Sequence, residues 1–266
     1  MKLGLNARYG GYALVTGAAR GIGRAFATYL AADGFDLLLV DREADETEAL
    51  ARELGEEHGI DARPLICDLA DPALRDRAQE WANTYEIGLL VNNAGIGQID
   101  PFFDIPLDAH VATLDLNCRA TLILTHVVGK AMASRGRGGI IIVSSASGLS
   151  GSPYFCHYAA TKGYGLNLAV GLWSELRESG VDALALCPGM TDTKPVQDQG
   201  LGENLPFFIG LTGPEPVALG ALRALGKQPV LVPTLADRMS SGFLSKLLPR
   251  GWTLSLMKQS IEKMRR

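Results

Sequence analysis

Tyr12–Gly23 reads YALVTGAARGIG, a short apolar run of strand length that passes directly into a glycine-rich turn. Gly17, Gly21 and Gly23 are spaced G-x-x-x-G-x-G, and Ile22–Ala32 continues as an apolar-rich helical stretch. Missing Cβ atoms permit a tight turn and a close approach of a pyrophosphate to the backbone. The N–H groups that open the helix then meet the anion. Strand, glycine turn and helix in that order predict a dinucleotide-binding βα unit. Gly17, Arg20, Gly21, Ile22 and Gly23 are its candidate cofactor contacts.

The same alternation repeats downstream. Strands are predicted at Tyr12–Thr16, Asp36–Val40, Ala62–Cys67, Gly88–Val91, Ile140–Ser144, Val181–Cys187 and Pro229–Val232. Helices are predicted at Ile22–Ala32, Asp45–His58, Pro72–Tyr85, Leu107–Ala133, Tyr158–Glu178 and Glu215–Leu225. Runs such as LLLV and IIIVS are apolar throughout, which suits strands covered on both faces. Repeated strand–helix alternation implies right-handed crossovers. The expected fold is α/β, a doubly wound, mostly parallel seven-stranded sheet of Rossmann type with helices on both faces. Residues 1–266 contain no linker or repeat and are read as a single dinucleotide-binding catalytic domain. Two stretches fall outside the alternation, a Gly/Pro/Phe-bearing insertion at 190–213 and a basic, apolar helical tail at 235–266.

Composition narrows the classes. The 266 residues are 47% hydrophobic and carry a net charge of −4, with few basic clusters, which argues against a nucleic-acid partner and against a disordered chain. The opening residues lack a signal-peptide pattern, and Cys67, Cys118, Cys156 and Cys187 form no C-x-x-C pair, so a reducing, cytoplasmic setting is expected. His58, His110, His126 and His157 show no ligand spacing, and no metal site is predicted.

Strand two is followed by Asp41, 18 residues beyond Gly23. A carboxylate there can accept hydrogen bonds from an adenosine ribose and repel a 2′-phosphate. Its neighbour Arg42 could instead pair with that phosphate. Asp41 stands closer to the strand tip, so NAD is favoured and NADP is the alternative; a simple turn cap and a solvated arginine are the plainer readings.

NNAG (Asn92–Gly95) follows strand four, SSASG (Ser144–Gly148) closes strand five, and YAATK (Tyr158–Lys162) opens a long helix. Tyr158 and Lys162, four residues apart, share a helix face. A nearby ammonium favours the phenolate, and a serine hydroxyl from the neighbouring strand end can hold a carbonyl or alcohol oxygen. Beside a nicotinamide, such a set is what hydride transfer requires. His157 is adjacent to the tyrosine, but neighbouring helix residues point about 100° apart, and a core or pocket-lining role suits it better.

With these motifs in order, the chain resembles the compact single-domain branch of the short-chain dehydrogenase/reductase family, from about Tyr12 to Val232. The resemblance rests on TGAARGIG, CDL, NNAG, the Asn of DLN, Ser with YxxxK, and PGMTDT. It implies Tyr158 as general acid/base and Lys162 as the group that lowers its pKa and binds the nicotinamide ribose. It implies Ser145, thirteen residues before Tyr158, as the residue orienting the substrate oxygen, in preference to Ser144. Asn117 would hold a relay water. Asp68 and Leu69 would flank the adenine, and Asn93 would lie along the adenosine. Pro188, Gly189, Thr191 and Thr193 would pass beside the nicotinamide. Family members are usually dimers or tetramers, so a homodimer or homotetramer is expected.

The implied reaction interconverts a secondary alcohol and a ketone on a small, hydrophobic or aromatic molecule. The alternatives are an acyl-thioester ketoreductase and a non-catalytic dinucleotide-binding regulatory protein; a sugar-nucleotide epimerase would need a larger C-terminal part. Residues 190–213, with Gly200, Gly202, Gly210, Phe207, Phe208 and Ile209, are read as a mobile lid. Ile96–Phe103 and Leu149–Phe155 are expected to line the substrate side, with Phe102, Phe103, Tyr154 and Phe155 as contacts. The tail is compatible with a membrane surface, but packing on protein is favoured.

Overall fold

The computed structural model describes residues 2–198, 211–234, 237 and 250–264. Its frame is a seven-stranded sheet in the order β3-β2-β1-β4-β5-β6-β7. The strands are β1 (Tyr12–Thr16), β2 (Asp36–Asp41), β3 (Ala62–Ile66), β4 (Ile87–Asn92), β5 (Gly138–Val143), β6 (Val181–Leu186) and β7 (Val230–Leu231). Every pairing is parallel, so the sheet is wholly rather than mostly parallel.

Side chains alternate across the sheet and build a core on each face. Val15, Leu39, Val91, Ile141 and Leu184 pack with Phe26 and Leu30 of α2 (Gly21–Ala32) and Ala218 and Leu222 of α9 (Pro214–Ala224). Leu14, Leu38, Leu90, Ile140 and Ala185 pack with Trp81 of α4 (Leu74–Thr84), Leu124 and Met132 of α6 (Thr121–Arg135), and Ala169 of α7 (Cys156–Glu175). With both faces covered, β4 and β5 are buried along their whole length, which is why their sequences are apolar without alternation. The chain leaves β1 for β2 on one side and reaches β4 on the other. This reversal of strand order opens a crevice at the carboxyl ends of β1 and β4.

Three features depart from the sequence expectation. A short helix, α1 (Leu5–Tyr9), precedes β1. Its opening amides are held from 28 residues away: the buried Asp33 carboxylate accepts from Gly4 N at 2.9 Å, Leu5 N at 2.7 Å and Asn6 N at 3.1 Å, and from Leu3 N. The predicted helix Leu107–Ala133 is instead two helices, α5 (Leu107–Leu114) and α6, separated by a π-helical turn at Asp115–Ala120. β3 and β7 are shorter than predicted, while α7 begins two residues earlier, at Cys156, and ends at Glu175. After α7 and β6 come the short α8 (Lys194–Asp198) and, further on, a C-terminal helix at Arg250–Met264. The glycines and aromatics of the expected lid (Gly200, Gly202, Phe207, Phe208, Ile209, Gly210) lie outside the described residues.

Candidate active site

The carboxyl ends of the central strands surround a cleft of about 770 Å³, within the range of small-molecule sites. Gly17, Arg20, Gly21, Ile22, Asp41, Arg42, Asp68, Leu69, Asn93, Pro188, Gly189, Thr191 and Thr193 all line it, and so do Ser145, Tyr158 and Lys162. Of the predicted site residues, Gly23 and Asn117 stand directly behind this lining.

The glycine turn is tight for identifiable reasons. A Cβ on Gly23 would sit 1.9 Å from the Gly17 carbonyl oxygen, and Gly17 itself adopts φ +64°. Asn93 donates from Nδ2 to the carbonyl oxygens of Thr16 (2.9 Å) and Gly17 (3.1 Å), so it staples the turn to β4. The Thr16 hydroxyl adds to the staple by accepting from Asn93 N and Ala94 N. No side chain caps the opening amides of α2. They face the cleft at Gly21 and Ile22, where the helix end favours an anion. The chemistry of this cradle fits a dinucleotide diphosphate.

Asp41 does cap its turn, and also reaches the glycine loop. Its Oδ1 accepts from Arg42 N (2.8 Å) and Glu43 N (3.2 Å), and its Oδ2 from Ala19 N (3.0 Å). Both arginines at this end are paired with carboxylates. Arg20 contacts Glu46 at 2.8 Å and Glu43 at 3.7 Å, and Arg42 contacts Glu43 at 3.4 Å.

At the other end, the two serines of the β5 terminus divide their tasks. Ser144 is buried and donates to the Lys162 carbonyl oxygen at 2.6 Å, tying the strand end to α7. Ser145 faces the cleft; its Oγ accepts from Ser147 N (3.2 Å) and Ser147 Oγ (3.0 Å), and its hydroxyl acts on the Tyr158 phenol from the same side of the cleft. Lys162 is buried, its Nζ donates to the Val143 carbonyl oxygen at 2.9 Å, and it lies 5.7 Å from the centre of the Tyr158 ring. Two glycines leave room for this pair. A Cβ on Gly95 would come within 2.9 Å of Lys162 Nζ, and one on Gly97 within 2.3 Å of the Tyr158 ring.

Asn117 projects from the π turn and is held on three sides. Its Oδ1 accepts from Ile96 N (2.9 Å), while Nδ2 donates to the Ile96 carbonyl (2.8 Å) and to Thr161 Oγ1 (2.9 Å). A π turn inserts one residue into a helix and is often found at functional sites.

Electrostatics in this state are governed by burial. Burial raises the Tyr158 phenol above its ordinary value, and the Ser145 hydrogen bond opposes the rise. Burial also pushes Lys162 down to about 8, against the pull of the nearby Cys118 and Cys187 sulfurs. The lowering of Tyr158 expected from Lys162 is therefore not the dominant effect here. The ammonium is engaged by the Val143 carbonyl and faces the ring rather than a phenolate.

The substrate side differs in part from expectation. Ile96, Gly97, Ile99 and Phe155 line the cleft, but Phe102 and Phe103 do not. Phe103 is 94% exposed, and Phe102 stacks on His110 with ring centres 4.5 Å apart. Both lie in a short turn, Phe102–Asp104, that carries them away from the cleft. Tyr154 instead donates to Glu262 of the C-terminal helix. His157 Nε2 sits 2.9 Å from the His110 carbonyl oxygen, a structural contact beside the tyrosine. Gly97 falls within the stretch expected on the substrate side, whereas Thr161 and Lys194 carry no sequence signal as site residues and only their place in the fold marks them. Among the described residues, no cluster of His, Cys, Asp or Glu could hold a metal ion.

Comparison with known proteins gives concordant results. A family model described as short chain dehydrogenase matches residues 11–204. The chain is 28% identical over 261 residues to a very-long-chain 3-oxoacyl-CoA reductase of Anas platyrhynchos, covering 96% of this chain and 81% of that one. It is 28% identical over 234 residues to a 7beta-hydroxysteroid dehydrogenase of Collinsella aerofaciens, covering 85% and 87%. A solved short-chain dehydrogenase from Sphingobium yanoikuyae, in complex with NADPH, superposes with a TM-score of 0.78 at 28% identity, covering 94% of each chain.

Proposed function

The chain belongs to the short-chain dehydrogenase/reductase family, and on that premise we propose that it interconverts a secondary alcohol and a ketone on a hydrophobic small molecule. The observation that carries this reading is the convergence of Ser145, Tyr158 and Lys162 on the cleft that also holds the glycine cradle.

A bound nicotinamide supplies or accepts the hydride. In the reductive direction the Tyr158 phenol donates its proton to the carbonyl oxygen, which Ser145 orients by a hydrogen bond. In the oxidative direction the same oxygen of Tyr158 takes the hydroxyl proton. Lys162 holds positive charge near the tyrosine and offers its donors to the nicotinamide ribose. Asn117, fixed by Ile96 and Thr161, stands behind Lys162 and positions a water for proton exchange with solvent. Asp68 and Leu69 flank the adenine, and Pro188, Gly189, Thr191 and Thr193 border the nicotinamide.

NAD is the proposed cofactor, in preference to NADP. Asp41 stands at the tip of β2, and the ion pairs of Arg20 and Arg42 with Glu43 and Glu46 would have to break before either guanidinium served a 2′-phosphate. Ile96, Ile99 and Phe155 on the substrate wall suit an apolar or aromatic ketone. A 3-oxoacyl thioester is the second reading, favoured by the name of the Anas platyrhynchos relative. Leu107, Val111, Leu114 and Leu122 on α5 and α6, with Tyr164 and Val170 on α7, are large and exposed, which supports a homodimer or homotetramer.

Fluorescence titration with NADH and NADPH, followed by a reduction screen, tests the function. Tighter NADH binding and turnover of bulky apolar ketones are the expected results. Tighter NADPH binding would overturn the cofactor assignment, and turnover confined to 3-oxoacyl thioesters would overturn the substrate assignment. Binding of either dinucleotide without turnover of any substrate would bring the regulatory reading forward, and binding of neither would overturn the dinucleotide reading itself.

A further inference from the structure

We infer that Lys194 clamps the cofactor diphosphate, closing the glycine cradle from the opposite side of the cleft; the inference rests on the dinucleotide reading above. Four cations line the cleft: Arg20, Arg42, Lys162 and Lys194. Arg20 and Arg42 are engaged with Glu43 and Glu46. Lys162 is buried beside Tyr158 with its ammonium on the Val143 carbonyl. Among the described residues, Lys194 has no carboxylate within ion-pair distance, and its side chain is exposed on the cleft wall.

Position selects the diphosphate over the rest of the cofactor. Lys194 directly follows Thr193, whose Cγ2 lies 3.0 Å from where a Cβ of Gly21 would stand. The chain carrying Lys194 thus crosses the mouth of the cradle at the first residue of α2. The opening of α2 contributes only about half a positive charge there, against the two negative charges of a diphosphate. A mobile ammonium on the facing wall supplies the remainder as a point charge.

The wall is also anchored. Thr191 forms a parallel bridge with Thr212. Thr212 N donates to the Met190 carbonyl at 3.1 Å, and Asp192 N donates to the Thr212 carbonyl at 2.9 Å. Lys194 opens α8 directly after this anchored segment, so its backbone is already placed and only its own side chain must be ordered on binding.

The test is a fluorescence titration of NADH on the full chain, with competition by ADP-ribose and by adenosine, for wild type, Lys194→Gln and Lys194→Arg. Lys194→Gln should weaken NADH and ADP-ribose by about tenfold, leave adenosine unchanged and flatten the salt dependence of binding. Lys194→Arg should recover most of the loss. The exposed position makes a folding defect easy to exclude by thermal melting. Wild-type binding that Lys194→Gln leaves unaltered would overturn the clamp while leaving the function intact. An equal loss for adenosine would also overturn it, as would an effect confined to KM for a carboxylate-bearing ketone. Failure of the wild-type chain to bind any dinucleotide would overturn both readings together.

Discussion

The Tyr154 hydroxyl donates to Glu262 Oε1 at 2.6 Å, joining the loop before α7 to the C-terminal helix across 108 residues of chain. Tyr154 is the one described non-glycine residue with positive φ, at 62°, and its carbonyl accepts from Asp100 N at 3.1 Å. The contact helps hold an unfavourable backbone conformation beside the substrate wall. A hydrogen bond to a partly exposed carboxylate contributes about 1 kcal/mol. A double-mutant cycle with Tyr154→Phe and Glu262→Ala should show coupling of about that size in chemical denaturation. Strict additivity would mean the bond contributes nothing in solution.

Tyr158→Phe removes the proposed proton donor while keeping the ring that packs on Gly97. Turnover should fall by about 10³-fold, the middle of the range for lost general acid–base catalysis. NADH affinity should stay within about twofold, an effect below 0.5 kcal/mol. Steady-state kinetics paired with the dinucleotide titration reads both. Retained turnover would remove the tyrosine from the chemistry.

Lys162 makes stability depend on pH. Burial pushes its folded-state value down to about 8, below the ordinary 10.5, so the unfolded chain binds more protons between those limits. Below about pH 8 the lysine is charged in both states and the full cost of burying it is present. Stability then rises as pH climbs through the folded value toward the unfolded one. Relative to Lys162→Met, the cofactor-free wild type should gain up to about 3 kcal/mol across this window. Urea unfolding at intervals from about pH 7 to 10 measures it, a range that ends before the raised Tyr158 begins to subtract stability. Parallel curves would show that the ammonium is solvated.

Gly23→Ala would place a methyl 1.9 Å from the Gly17 carbonyl oxygen and 2.7 Å from Asn93 Nδ2. The backbone must move, at a cost of about 1–3 kcal/mol for an overpacked site. The melting temperature should drop and NADH saturation should be lost. A variant that binds NADH normally would show that the turn tolerates a wider approach.

Local pattern made much of this molecule readable. The glycine turn follows β1 without a gap, and Tyr158 and Lys162 share one turn of α7, so the cradle and the proximity of this pair are legible in spacing. What escaped depends on partners distant in sequence. The helix α1 owes its capped start to Asp33, which lies beyond β1 and α2. Phe102 and Phe103 are expected on the substrate side as part of Ile96–Phe103, but His110 draws Phe102 onto its own ring face. The resemblance already points to Ser145 over Ser144; what only the structure shows is that Ser144 is anchored on the Lys162 carbonyl.

The π turn at Asp115–Ala120 has a consequence for how this segment tolerates change. One extra residue is wound into that turn relative to an ordinary helix. Removing a single residue there, such as Cys118, would leave a smoother helix and rotate everything on one side of it by about 100° relative to the other. The Asn117 carboxamide would leave Ile96 and Thr161, and the apolar stripes of α5 and α6 would fall out of phase. Substitutions in this stretch need only suit their neighbours, whereas a change in its length alters the phase relation between the cleft and the exposed apolar side chains of α5 and α6. Length there is more constrained than residue identity.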